Sequence, residues 1–153
     1  MKVMNSKQVG VAVVAGIVAL SGMTEASLAN RSGNSEICRK ATEALMRGDT
    51  EAAVLAVDPA PSDRTSAQDN LTKLTNGVAA LFKGKTPRLE RTMSDAYAGA
   101  YPVSLQIWSF GDKEVYFVGC LFRMREEGMQ LQLQVDSSAD DVVAKLKTIS
   151  DSN

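Results

Sequence analysis

Residues 129–135, which read MQLQLQV, alternate apolar and polar side chains at each of their seven positions. Strict alternation is typical of a β-strand with one buried face, because successive side chains point to opposite sides of a sheet. We therefore expect the apolar residues to pack beneath helices and Gln130, Gln132 and Gln134 to lie on the other face. The plainest interpretation is that the glutamines face water, as one side of an antiparallel sheet commonly does. The alternatives are a wet concavity that binds a polar ligand, and an exposed edge that accepts a partner's strand.

The alternating segment belongs to a predicted sheet, because beyond Pro87 the apolar spacing changes from a helical period to a period of two. The predicted strands cover residues 89–98, 102–110, 114–124 and 128–136. Short turns between them indicate an antiparallel meander. The third strand is apolar on both faces and should be central, and its Gly119 indicates a bulge or a bend that curls the sheet.

Helices are expected before the sheet, over residues 36–46 and 51–57, with a third that Thr65 or Ser66 opens and Gly84 closes. The third helix carries a clean apolar stripe and is expected to cover one side of the sheet. We expect a helix over the tail, 138–149, with a short fifth strand as the alternative. The fold class is therefore α+β: N-terminal helices packed on a curled four-stranded antiparallel meander, with a C-terminal helix or a short fifth strand.

The first 29 residues have the layout of a secretory signal peptide of bacterial type. Lys2 and Lys7 precede an apolar run of 14 residues, and small residues then lead to Ala29. The run is shorter than the about 20 apolar residues that cross a bilayer, so we expect cleavage, with an uncleaved anchor as the alternative. Removal of 29 of the 153 residues leaves 124, with 30–35 as a flexible start and 36–150 as a single domain. The expected location is periplasmic or secreted, with no stable membrane span after cleavage.

Two cysteines follow the leader, Cys38 and Cys120. An even number of cysteines in an exported protein favours a disulfide. Cysteine is also among the most frequently buried residues, and both positions lie in apolar stripes, so the two interpretations stay open. A disulfide would tie the first helix after the leader to the third strand and close a loop of about 80 residues.

Charge and composition exclude several classes of function. Without the leader the chain carries 15 basic and 17 acidic residues, a net charge of −2, which indicates neither a nucleic-acid partner nor an anionic membrane surface. The chain has no histidine, which excludes histidine-based triads and histidine-ligated zinc or haem. We predict no metal site and no cofactor.

Two clusters of polar residues have both a functional and a plain interpretation. Asp95, with tyrosines nearby and Trp108 in the next strand, could be an acid held in an apolar pocket, although Asp is common in turn-rich segments. The second cluster is basic and surrounds a turn: Lys83, Lys85, Arg88 and Arg91. It could bind a phosphate or an acidic polymer, or form a solvated rim at a helix C-terminus, where cations are favoured.

Residues 43–53, EALMRGDTEAA, resemble the helix-turn-helix opening of small exported domains in the nuclear transport factor two-like, or cystatin-like cone, superfamily. The order of helices followed by a curled antiparallel sheet is compatible with that superfamily. Its members include isomerases and dehydratases that use the cavity of the cone, binding modules, and exported domains of unknown role. The acid and histidine positions of those enzymes have no matching motif here, so the resemblance implies a fold and no catalytic residue.

The sequence thus predicts an exported binding or interaction domain without catalytic chemistry of its own, whose partner is a small polar molecule or a protein. Its candidate ligand-binding residues are Gln130, Gln132, Gln134, Trp108 and Asp95. One alternative is a cone-pocket enzyme of lyase or isomerase type that uses Asp95 and a tyrosine. The other is an assembly protein joined by strand addition at residues 128–136.

Overall fold

A computed structural model describes residues 11–14, 31–83, 85–99, 101–111, 114–125 and 128–151. The helices are α1 (Arg31–Met46), α2 (Thr50–Val57), α3 (Arg64–Phe82) and α4 (Ala139–Asp151), with a 3-10 turn at Pro61–Asp63. The strands are β1 (Val11–Val14), β2 (Pro87–Ala98), β3 (Tyr101–Phe110), β4 (Glu114–Arg125) and β5 (Gly128–Asp136). They form one antiparallel sheet in the order β1-β5-β4-β3-β2.

The predicted α+β class and the four-stranded meander are confirmed, because β2, β3, β4 and β5 pair in sequence order. The tail forms α4, and the Asp141 backbone N–H donates to Ser138 Oγ at 3.4 Å at its start. The alternative of a fifth strand in the tail is therefore wrong. The fifth strand of the sheet comes instead from Val11–Val14, within the predicted leader. The rest of the leader lies outside the described residues.

Two helix starts differ from the prediction. α1 begins at Arg31 and so includes most of the expected flexible start. Polar residues of low helix propensity cost only tenths of a kcal/mol each, and extending a helix needs no new nucleus. α3 begins at Arg64, directly after the 3-10 turn. α2 begins as predicted, with Asp49 accepting a hydrogen bond from the Ala52 backbone N–H at 2.9 Å.

The N-terminal helices cover one face of the sheet. α1 makes the main contacts, against β3 and β4, while α2 and α3 pack on α1. α3 reaches the sheet through Phe82, whose ring stacks on Phe110 at 3.6 Å between centroids. The expectation that the third helix covers the sheet is therefore corrected in favour of α1, whose buried face includes Cys38 and Leu45.

α4 covers the opposite face, and Gly119 lets it approach. A Cβ atom at Gly119 would overlap Val142 Cγ1 and lie 2.9 Å from Leu146 Cδ1. The pairing of β4 with both neighbours runs through Gly119 without a shift, so the predicted bulge there is wrong. The register shifts lie in the β2–β3 pair, between Leu89 and Arg91 and again farther along β2.

Candidate functional site

The two faces of β5 lie in different environments, as the alternation predicts. Leu131, Leu133 and Val135 are buried in the core that the N-terminal helices form against the sheet. Burial of three such side chains contributes about 5 to 9 kcal/mol to the free energy of folding before entropy is counted. The prediction that this apolar face packs beneath helices is confirmed.

The glutamines of β5 occupy the opposite face, but they are not exposed to water. Gln132 and Gln134 are 1% and 0% exposed, and Gln130 is 7% exposed. The solvent-facing interpretation is therefore wrong. α4 lies on this side of the sheet and packs against β4 and β5, with Val142 and Leu146 in its apolar cluster. A second helical layer thus replaces the wet face that a one-sided sheet would have.

The amide groups of Gln132 and Gln134 have no hydrogen-bond partner within the described ranges. On the β4 side, Gln132 stands opposite Leu121 and Gln134 stands opposite Gly119, and neither neighbour has a polar side chain. A buried polar group without a partner costs about 1 to 3 kcal/mol. Two such side chains on one strand are an exception to the rule that buried polar groups are bonded.

The outer edge of β5 is the place where β1 pairs. Val11 stands opposite Val135, and the register runs on to Val14 opposite Gln132. Ala12 stands opposite Gln134. Valine and alanine side chains have neither donors nor acceptors, so β1 cannot satisfy the two amides through its side chains.

A buried glutamine on the face of the sheet that the N-terminal helices cover has a hydrogen-bonded amide. Gln106 is 0% exposed, like Gln134, but both ends of its amide are bonded. Its Nε2 donates to the Arg39 carbonyl oxygen at 3.4 Å, and its Oε1 accepts from Trp108 Nε1 at 2.9 Å. Burial is therefore compatible with a bonded amide in this sheet, and among the described buried glutamines only Gln132 and Gln134 have amides without partners.

Gln130 differs from its two neighbours on the strand, because Arg123 Nε donates to its Oε1 at 2.5 Å. The Arg123 guanidinium also lies 5.4 Å from the ring centroid of Tyr101, within the range of a cation–π contact. A buried arginine that is 3% exposed thus holds one end of the glutamine row. No pattern in the sequence predicts this role for Arg123.

Asp136 fixes the other end of β5 to α4. Its carboxylate is 3% exposed and accepts a hydrogen bond from Lys145 Nζ at 2.5 Å. Burial alone would raise the pKa of Asp136, but the bonds from Lys145 and from the Ser137 backbone N–H, together with the lysine charge, hold the pKa below its ordinary value. The only charge on β5 is therefore neutralised within the chain.

The structure does not assemble the predicted ligand-binding residues into one site. Trp108 is 0% exposed in the core on the side of the N-terminal helices, opposite the glutamine face. It pairs with Leu89, whereas Tyr97 and Tyr101 lie at the other end of the β2–β3 pair and are exposed. The side chain of Asp95 lies outside the described residues.

Two of the four residues of the basic cluster near the start of β2 are paired with acidic side chains. Lys85 pairs with Glu114 at 2.7 Å, and Arg88 pairs with Glu90 at 2.6 Å. Hydrogen bonds from Ser109 and Arg88 lower the pKa of Glu90. Arg88, Glu90 and Glu114 line an open cleft of about 700 Å³. The cleft carries both signs of charge, which favours the solvated-rim interpretation over an anion site.

Cys38 of α1 and Cys120 of β4 stand at disulfide-bonding distance, with their Cα atoms 5.6 Å apart. Both are buried, at 1% and 0% exposure. The two interpretations are therefore compatible: the cysteines belong to the core, and they also stand where the predicted bridge requires them. The bridge joins the first described helix to the third strand of the meander, as predicted. It closes a separation of 82 residues.

Two negative findings limit the chemistry of the described ranges. They contain no group of three acidic or cysteine side chains placed to hold a metal ion. No helix within them is both long and apolar enough to cross a bilayer.

Comparison of the chain with protein-family models, curated proteins and solved structures finds no match. The resemblance to the cone superfamily therefore stays a prediction.

Proposed function

We propose that this protein is an exported interaction domain that binds a β-strand of a protein partner at the outer edge of β5. The observation that carries the proposal is the pairing of Val11–Val14 with that edge. Those residues belong to the leader whose removal is expected on export. Cleavage would take β1 away and leave the main-chain groups along β5 free to pair with another strand.

The edge of β5 has little protection against pairing. Natural edge strands are commonly defended by lysines, prolines or bulges. Gly128–Asp136 contains neither lysine nor proline, and its pairing with β4 shows no register shift that would mark a bulge. Its one charged residue, Asp136, already binds Lys145. A strand of this kind can accept a partner through regular main-chain hydrogen bonds.

Export is supported by two independent features. The first is the layout of the leader, with its two lysines, short apolar run and small residues. The second is the placement of Cys38 and Cys120 at disulfide distance, because structural disulfides persist in oxidising compartments.

A protein strand is favoured over a small polar ligand as the partner. The amides of Gln132 and Gln134, which such a ligand would contact, are buried rather than open to a cavity. The enzyme alternative requires Asp95 beside a tyrosine in an apolar pocket, whereas Tyr97 and Tyr101 are 55% and 39% exposed. We therefore propose no catalytic residue.

The test uses a fluorescent peptide of residues 8–17 and protein expressed with its own leader and purified from a bacterial periplasm. Mass spectrometry first establishes the amino terminus, which we expect near Asn30. We expect saturable binding of the peptide, read by fluorescence anisotropy. A matched peptide with Ala12→Pro and Val13→Pro should bind at least about 10-fold more weakly, because one of two consecutive strand residues directs its N–H to the partner.

Two results would contradict the proposal. A leader that stays attached after export would leave the edge of β5 occupied by the chain itself. Equal binding of the two peptides would show that the interaction does not depend on strand pairing.

A further inference from the structure

The side chains around Gln132 and Gln134 indicate what a suitable strand must offer. Within the described part of the chain both amides are buried without a partner, and their strand registers place them opposite Leu121 and Gly119 on β4 and opposite Val14 and Ala12 on β1. An amide has both a donor and an acceptor, so a facing side chain must supply both. Main-chain pairing with Val11–Val14 leaves the two amides without a partner among the described residues.

Glutamine is a residue type that meets this requirement at every facing position, and β5 itself carries it at alternate positions. In an antiparallel pair, residues directly opposite each other point to the same face. A second β5 strand whose register is symmetric about residue 132 therefore places glutamines opposite glutamines. It also places leucines opposite leucines on the other face.

We propose that the strand that replaces β1 is β5 of a second copy of this chain. This inference rests on the proposed strand-accepting function. In the dimer, Gln132 lies opposite Gln132 of the second copy on a two-fold axis, and Gln134 lies opposite Gln130 of the second copy. The two sheets join into one, with Leu131 opposite Leu133 of the second copy beneath the N-terminal helices.

Three features of β5 fit this register. Residue 132 is the midpoint of Gly128–Asp136, so an axis there pairs all nine residues of the strand, compared with four in the pairing with β1. Asp136 falls opposite Gly128 of the second copy, so no like charges meet across the interface. Isologous contacts of this kind close on themselves and give dimers rather than fibres.

The test measures self-association of the exported protein by analytical ultracentrifugation. Gln132→Lys and Gln132→Glu each place like charges opposite each other on the axis, and each should weaken the dimer at least about 10-fold. An equimolar mixture of the two variants should regain the dimer, because it brings opposite charges together. Val115→Lys is the control, since Val115 is 48% exposed on β4, away from the edge, and should leave the dimer unchanged. Fluorescence of the single tryptophan, Trp108, reports folding of each variant.

The outcomes separate this inference from the proposed function. A dimer that survives both charge variants, or a mixture that does not regain it, overturns the self-pairing. A monomeric wild-type protein that binds the peptide of residues 8–17 also overturns it but leaves strand acceptance standing. A monomer that does not bind the peptide removes both. If the charge variants do not fold, the test uses wild-type protein alone. The peptide of residues 8–17 should then convert the dimer to a monomer. A peptide that binds without dissociating the dimer contradicts the inference.

Discussion

Gly119→Ala tests how closely α4 packs on the sheet. Gly119 does not have a positive φ, so the cost of the added methyl group comes from steric overlap with α4 and not from backbone strain. The new Cβ would overlap Val142 Cγ1 and lie 2.9 Å from Leu146 Cδ1. Val142 is β-branched and has little rotamer freedom in a helix, so α4 must shift outward.

The expected cost follows from two opposing terms. Overpacking of a close contact costs about 1 to 3 kcal/mol, and the rigid partner places this site in the upper half of that range. Within a strand, alanine is more stabilising than glycine by about 0.5 to 1 kcal/mol, which offsets part of this cost. We therefore expect Gly119→Ala to lower the free energy of unfolding by about 2 kcal/mol.

A double-mutant cycle with Val142→Ala isolates the contact. Val142 is 0% exposed, and its truncation alone should cost about 2 kcal/mol through lost burial and a small cavity. In the double variant the alanine methyl at 119 takes space that Val142 Cγ1 vacates, so the costs should not add. We expect a coupling energy of about 1 to 2 kcal/mol.

The assay is urea unfolding at one protein concentration, followed by the fluorescence of Trp108. The control is Gly111→Ala, which adds a methyl group where no heavy atom of the described residues, apart from the chain neighbours, lies within 4 Å, and which strains a φ of +69°. Its cost should add to that of Val142→Ala without coupling. A change below about 0.5 kcal/mol for Gly119→Ala, or an additive cycle, would refute the close approach of α4.

Three further perturbations test other contacts. The lowered pKa of Asp136 means that its contribution to stability is present above the unfolded-state pKa and is lost as pH falls through the folded-state pKa. Asp136→Asn should therefore lower the free energy of unfolding by about 1 to 2 kcal/mol at pH 7 and by progressively less as the pH falls, measured by urea unfolding over an acidic pH series. Reduction of the bridge between Cys38 and Cys120, which are separated by 82 residues, should lower the free energy of unfolding by about 4 to 5 kcal/mol. The measurement is urea unfolding with and without reductant, and an unchanged midpoint would argue against the bridge. Gln106→Leu should cost about 1 to 3 kcal/mol in the same assay, because it leaves the Trp108 indole N–H buried without its acceptor, and a neutral result would contradict that bond.

Local patterns were sufficient for the elements whose own residues determine them. The alternation in β5 reflects one apolar face, and the apolar spacing of α2 reflects one buried face. Both elements lie within one residue of their predicted bounds. Residues 142–148 favour a helix by local pattern, but their alternation also fits a strand. The packing of Val142 and Leu146 against Gly119 selects the helix, and that contact is not local in sequence.

The burial of the glutamines could not be predicted for a related reason. Alternation indicates that the two faces of a strand differ, but not whether a second layer covers the polar face. That layer, α4, depends on a glycine in a neighbouring strand. The pairing of Val11–Val14 with β5 was missed because a valine-rich segment fits both the apolar run of a leader and a strand, and its partner lies at the far end of the chain.

Hydrogen exchange of the backbone amides of β5 tests the central claim, that this edge is open to a partner strand after export, most directly. The samples are uncleaved protein, exported protein diluted to monomer, and the same monomer with the peptide of residues 8–17. We predict that alternate amides within residues 131–135 exchange slowly in the first, at least about 100-fold faster in the second and slowly again in the third. Equal protection in all three samples would contradict the claim.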